Sequence, residues 1–77
     1  MARIDFSSIE RVEKNGSIHE ITTATYHFFE IGAEKYFQLD TYGTPNRKSE
    51  PKQSQVIQFN KKTAERLVKL LSKEFDL

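Results

Sequence analysis

Few residues in this 77-residue chain have the types and spacing to bind a metal, attack a carbonyl or relay a proton. The two histidines, His19 and His27, stand eight apart without the carboxylate pattern of a metal site, so surface or packing roles are expected of both. There is no cysteine, which excludes thiolate nucleophiles, thiolate metal sites and a disulfide framework together. Ser7, Ser8, Ser17, Ser49, Ser54 and Ser72 have no nucleophile-elbow context, and the glycines at 16, 32 and 43 are too scattered to cradle a phosphate. No two carboxylates are spaced as a recognisable acid and base. A non-enzymatic protein without a cofactor is expected.

What the chain does carry is flat rings and cations. Tyr26, Phe28, Tyr36 and Tyr42 fall in adjoining strand-like runs, and an exposed ring stacks an unpaired base with roughly 1 to 3 kcal/mol. Lys35, Arg47, Lys48 and Lys52 lie near them in sequence and are suited to phosphate oxygens. Net charge is only +1, yet residues 1–40 hold four Arg or Lys against seven Asp or Glu, and residues 41–77 hold eight against four. Ordinary cross-strand ring pairing and solvated charge are the competing explanations.

These side chains need elements to hold them. Residues 3–13 admit two patterns: a short helix opened by a Ser7/Glu10 capping box, or a strand leading into an Asn15-Gly16 hairpin turn. Strand, turn, strand is favoured. The run from Ile21 to Ile31 is β-branched and aromatic throughout and reads as a central strand. Gly32-Ala33 then turns the chain into Lys35–Tyr42, where Phe37 and Leu39 face inward and Tyr36, Gln38, Asp40 and Tyr42 outward. Residues 43–53 form a basic loop with two prolines, and residues 54–59 resume the strand pattern. Asn60 caps a helix from Lys61 to about Phe75. Ala64, Leu67, Val68, Leu71 and Phe75 form its apolar stripe, with Leu70 at the margin. Lys61 and Lys62 occupy its first turn, where the helix dipole disfavours cations by roughly 0.3 to 1 kcal/mol.

The expected fold is therefore α+β: one domain over residues 1–77, a curved four-stranded antiparallel sheet followed by one C-terminal amphipathic helix. A single core in so short a chain yields roughly 3 to 5 kcal/mol, a shortage that burial in a homodimer would offset. No stretch approaches the roughly 20 apolar residues that span a bilayer, and the start lacks the apolar run of a signal peptide. A cytoplasmic protein without a membrane partner is expected.

The stretch from Lys35 to Leu71 resembles the single-stranded-DNA-binding domain of the positive cofactor four transcriptional coactivator family and its bacterial relatives. That family opens a strand with a Lys-Tyr pair, follows it with a polar loop ending in a Pro-Gly-Lys-type turn, then a short strand and a helix with recurring leucines. Here the matching text is Lys35-Tyr36-Phe37-Gln38-Leu39-Asp40-Thr41-Tyr42, Pro51-Lys52, Gln55-Val56-Ile57-Gln58-Phe59, and Ala64 to Leu71. Asp40 stands where the family has an arginine, and the Gly-Lys-Gly turn is reduced to Pro51-Lys52-Gln53-Ser54. Pur-alpha repeats share the same order of parts more loosely. The resemblance implies a homodimer with helices packed across the two-fold through Leu67, Leu70, Leu71 and Phe75. It also implies a single strand lying over the sheets.

Two readings follow. The first is a small binding module for single-stranded DNA or RNA, with Tyr26, Phe28, Tyr36 and Tyr42 sharing one sheet face and the four cations at its edge. The second is a protein-interaction module, such as an inhibitor or accessory factor of a mobile element, since an acidic N-terminal half can occupy a basic site.

Overall fold

The computed structural model describes residues 1–43 and 53–77. Strands β1 (Ala2–Arg3), β2 (Ala24–Ile31), β3 (Glu34–Tyr42) and β4 (Gln53–Asn60) form one open sheet in the order β1-β4-β3-β2, and helix α1 (Lys61–Phe75) follows directly. The α+β architecture of four strands and a C-terminal helix is the one expected. Its edges differ. β1 runs parallel to β4, so the sheet is mixed, and β2 is an edge strand rather than a central one.

The β2–β3 hairpin follows from local chemistry. Ile31 pairs with Glu34 across Gly32-Ala33, and Gly32 takes φ +64° while Ala33 keeps the negative φ of ordinary residues, the pattern of a type II′ turn. Pairing then runs without interruption from Ile31/Glu34 to Ala24/Thr41. The β3–β4 pairing carries one irregularity, between Thr41 and Tyr42.

The expected hairpin at Asn15-Gly16 does not form. Neither residue has the positive φ that a type I′ turn requires, and residues 9–23 contain no strand. Ile18 and Ile21, the apolar residues that follow that turn signal, are exposed. Long-range contacts win over the local turn signal here. Thr23 O accepts from Tyr42 N–H, Thr22 Oγ1 donates to Tyr42 O, and the first residues cross to the far edge of the sheet. There Ile4 N–H donates to Gln58 O at 2.9 Å, and Asp5 caps a 3-10 turn at Phe6–Ser8.

Helix α1 begins as read. Asn60 Oδ1 accepts from Thr63 N–H at 3.2 Å, and the helix closes with Asp76 in the left-handed region and Leu77 N–H returning to Ser72 O, a Schellman ending. Thr63 is fully buried, its hydroxyl donating to Ile4 O at 3.1 Å, which ties α1 to the N-terminal segment. Arg66 Nη2 donates to Ile9 O, and Arg11 Nη1 meets Glu74 Oε1 at 2.9 Å further along.

The apolar stripe of α1 does not close over the sheet, as its pattern led one to expect. Val68, Leu70, Leu71 and Phe75 are exposed and Leu67 is half-buried; the principal contacts of α1 are with the 3-10 turn and with β4. Val56 is the one buried hydrophobic among the described residues. The Cα radius of gyration is 14.8 Å, against about 11.5 Å for a compact chain of this length. Among the described residues no helix is long and apolar enough to cross a membrane.

Candidate nucleic-acid interface

Residues directly opposite on paired strands point to the same side of the sheet. Because the β2–β3 turn holds two residues, each even-numbered residue of β2 faces with an odd-numbered residue of β3. Tyr26 lies opposite Leu39 and Phe28 opposite Phe37, with Ile57 and Phe59 continuing the row on β4. This is the aromatic face. Phe29 lies opposite Tyr36, His27 opposite Gln38 and Thr25 opposite Asp40, with Val56 and Gln58 on β4. This is the polar face.

The four rings expected to share one surface are therefore split. Tyr26 and Phe28 belong with Phe37 and Phe59, whereas Tyr36 and Tyr42 lie on the opposite side. The contacts agree: Tyr26 stacks on Phe37 at 5.9 Å, Phe28 meets Phe37 edge-on at 5.3 Å, and Phe37 meets Phe59 at 4.9 Å. Tyr42 instead hydrogen-bonds Thr25 across the polar face at 2.8 Å. A parity shift of one residue moves a whole strand's side chains to the other face, and that shift is the reason for the correction.

On the polar face the missing ring partners are His27 and Phe29. Phe29 and Tyr36 stack with centroids 5.5 Å apart and planes at 22°, and His27 lies 5.9 Å from Phe29. Beside this row of rings runs a row of amides. Gln58 Nε2 donates to Gln38 Oε1 at 2.7 Å, and Gln38 Nε2 donates to Asp40 Oδ1 at 2.7 Å. Asp40 is only 5% exposed, with His27 Nδ1 3.9 Å from its other oxygen. The carboxylate that replaces the resembled family's arginine is thus turned into the sheet's own bonding and is not displayed to an approaching strand. What the face offers is ring surface plus amide and hydroxyl groups.

The cations divide likewise. Lys35 is on the aromatic face, its Nζ 5.5 Å from the Phe28 ring centroid, and it meets Tyr36 only at the rim of the cavity that both line. Arg47, Lys48 and Lys52 lie outside the described residues. No group of His, Asp or Glu among the described residues is arranged to hold a metal.

The aromatic face is open: Tyr26 is 67% and Phe28 56% exposed, and a cavity of about 310 Å³ lies between Phe28, Phe37, Phe59 and Ala64 at the start of α1. Exposed Leu70, Leu71 and Phe75 (68%) extend apolar surface along the helix, so the expected interface residues are accessible, with Leu67 half covered. Comparison with protein-family models, with curated proteins and with solved structures finds no match to this chain.

Proposed function

We propose that this chain is a small non-enzymatic module that binds single-stranded nucleic acid on the polar face of its sheet and self-associates through its apolar surfaces. The observation that carries the first half is the Phe29–Tyr36 stack with His27 beside it, a flat ring surface next to hydrogen-bonding amides. Unpaired bases stack on such rings regardless of sequence, and amides meet their edges. The second half is supported by the exposed aromatic face and helix stripe. Tyr26, Phe28, Val68 and Phe75 are each more than half exposed, and large apolar side chains of that kind are what an interface core buries. The test is fluorescence anisotropy with labelled single- and double-stranded oligonucleotides at two salt concentrations, beside a light-scattering mass. Binding of single strands that weakens with salt, by a particle of twice 9.0 kDa, is the expected result. No binding of either oligonucleotide removes the proposal.

A second reading is favoured by the openness of Tyr26 and Phe28: the aromatic face takes a different protein, as in an inhibitor or accessory factor. A monomer by light scattering that retains a stoichiometric protein partner and no nucleic acid supports this alternative.

A further inference from the structure

A cleft of about 730 Å³ opens at the Tyr36 end of the polar face, between the N-terminal segment and the start of α1. Arg3, Lys61 and Lys62 line it with the rings of Phe6 and Tyr36, and Glu34 stands at its side. Its walls are fixed by the fold. Arg3 is placed by the parallel pairing of β1 with β4, by the Ile4 N–H bond to Gln58 O, and by Thr63 Oγ1 donating to Ile4 O. Lys61 and Lys62 follow from the Asn60 cap. Stability alone would not place cations on that turn. Lys62 Nζ lies 5.6 Å from the Phe6 ring centroid, so its ammonium is held toward the cleft wall.

We propose that this cleft is a phosphate-holding subsite for the single strand, with Arg3, Lys61 and Lys62 meeting backbone phosphate as the adjoining base stacks toward Tyr36. The proposal rests on the polar-face reading and supplies what that face lacks among the described residues, a cationic border. Two carboxylates share the cleft. Asp5 is engaged by Ser7, whose hydroxyl and backbone N–H both donate to it and hold it below the usual carboxylate range, with Arg3 and Lys62 adding to the effect. Glu34 is exposed, and it opposes an incoming phosphate.

The test uses the whole chain and labelled oligothymidylate, with anisotropy recorded across a salt series. In the Arg3→Gln/Lys61→Gln/Lys62→Gln variant, affinity at low salt is expected to fall on the order of a hundred-fold. The log–log salt slope becomes shallower by about 2, at about 0.7 for each single-strand phosphate released. Glu34→Gln moves affinity the opposite way and does not depend on the triple variant folding. If the wild-type chain binds and a Phe29 or Tyr36 variant weakens it, while the triple variant keeps its thermal unfolding, affinity and slope, the cleft proposal is overturned and the polar face stands. If the wild-type chain binds no strand, both fall.

Discussion

The division of rings between two faces makes Tyr36→Ala and Tyr26→Ala a matched pair whose effects on strand binding should separate. Tyr36 is half-buried and stacked on Phe29 at 5.5 Å, so one side of its ring is already occupied and only the outer side is open to a base. Base stacking on an aromatic is worth roughly 1 to 3 kcal/mol, and the lower part of that range applies to a half-covered ring. A loss of about 1 to 2 kcal/mol is expected, or about 5- to 30-fold in Kd at 25 °C. Tyr36→Phe keeps the ring and is expected to stay within about two-fold, which separates stacking from the hydroxyl. Tyr26→Ala removes a ring on the opposite side and is expected to leave the affinity for a short oligonucleotide unchanged while weakening self-association. Anisotropy with an oligonucleotide too short to bridge two protomers is the right assay, because it removes the avidity that a dimer would add. Losing the Phe29–Tyr36 pair also costs roughly 0.5 to 1.5 kcal/mol of folding stability, so each variant is checked by urea unfolding. Equal losses from Tyr26→Ala and Tyr36→Ala, with both variants folded, refute the two-face assignment.

Other outcomes follow from single contacts. Thr63→Val removes the hydroxyl that satisfies Ile4 O from a fully buried position and is expected to lower stability by about 1 to 3 kcal/mol in urea unfolding, with amide exchange rising first in residues 1–9; unchanged protection there would show that the bond does not anchor the segment. Leu71→Asp together with Phe75→Ser is expected to bring the light-scattering mass to 9.0 kDa, and a persistent dimer would place the interface away from α1. Glu74 is held below the usual carboxylate range by its hydrogen bond from Arg11 and by that residue's charge. The anchoring it gives is present above the ordinary carboxylate pKa and is lost as pH falls through the lowered one. In Arg11→Gln the Glu74 titration followed by NMR should move back up, and an unmoved midpoint would show that the ion pair does not persist in solution. Asp76→Gly relieves a non-glycine residue at φ 54° and is expected to raise stability by about 0.5 to 1 kcal/mol, seen as a higher urea midpoint.

The second half of the chain was legible because its signals are local and agree with one another. Phe37 and Leu39 alternating with Tyr36, Gln38 and Asp40 place β3, and Asn60 ahead of the Ala64–Leu67–Leu71 spacing places α1; each pattern specifies its element without help from distant residues. The side on which each ring falls was misread, because it turns on the number of residues in the Gly32-Ala33 turn, which the pairing of Ile31 with Glu34 sets at two. A two-residue turn pairs residues of opposite parity, so Tyr26 could never have shared a face with Tyr36. The N-terminal third was not legible. Asn15-Gly16 is a strong local turn signal, but a hairpin also needs two strands with an apolar side to bury, and Ile9, Val12, Ile18 and Ile21 find no such surface against β2. Residues 2–4 instead pair with β4, about 55 positions away, a choice made by Thr63 and Gln58 that no window around residue 15 contains. Of the cations chosen from the sequence, Lys35 lies on the aromatic face and Arg47, Lys48 and Lys52 fall outside the described residues, while Arg3, which was not chosen, joins Lys61 and Lys62 only through that long-range closure.

A three-strand antiparallel unit with an unclosed helix has two surfaces to cover and one set of side chains with which to do it. On one surface Tyr26, Phe28, Phe37 and Phe59 carry almost no hydrogen-bonding capacity, so water there is expelled by another apolar surface. On the other, Gln38, Gln58 and Asp40 already spend part of their hydrogen bonds on one another and Tyr42 bonds Thr25, which fixes the face before any ligand arrives. A ligand for that side must tolerate a rigid pattern of amides while gaining from flat rings, which are the two demands that the proposed unpaired base would have to meet. The proposed second copy would have to meet the exposed rings of the sheet, the exposed stripe of α1, or both, each of which every chain carries. On the proposed reading the two uses draw on opposite faces and meet at Tyr36, Asn60 and Lys61, which line both the apolar cavity and the cationic cleft, so Tyr26 on one side and Phe29 on the other are the positions at which substitution is expected to separate them.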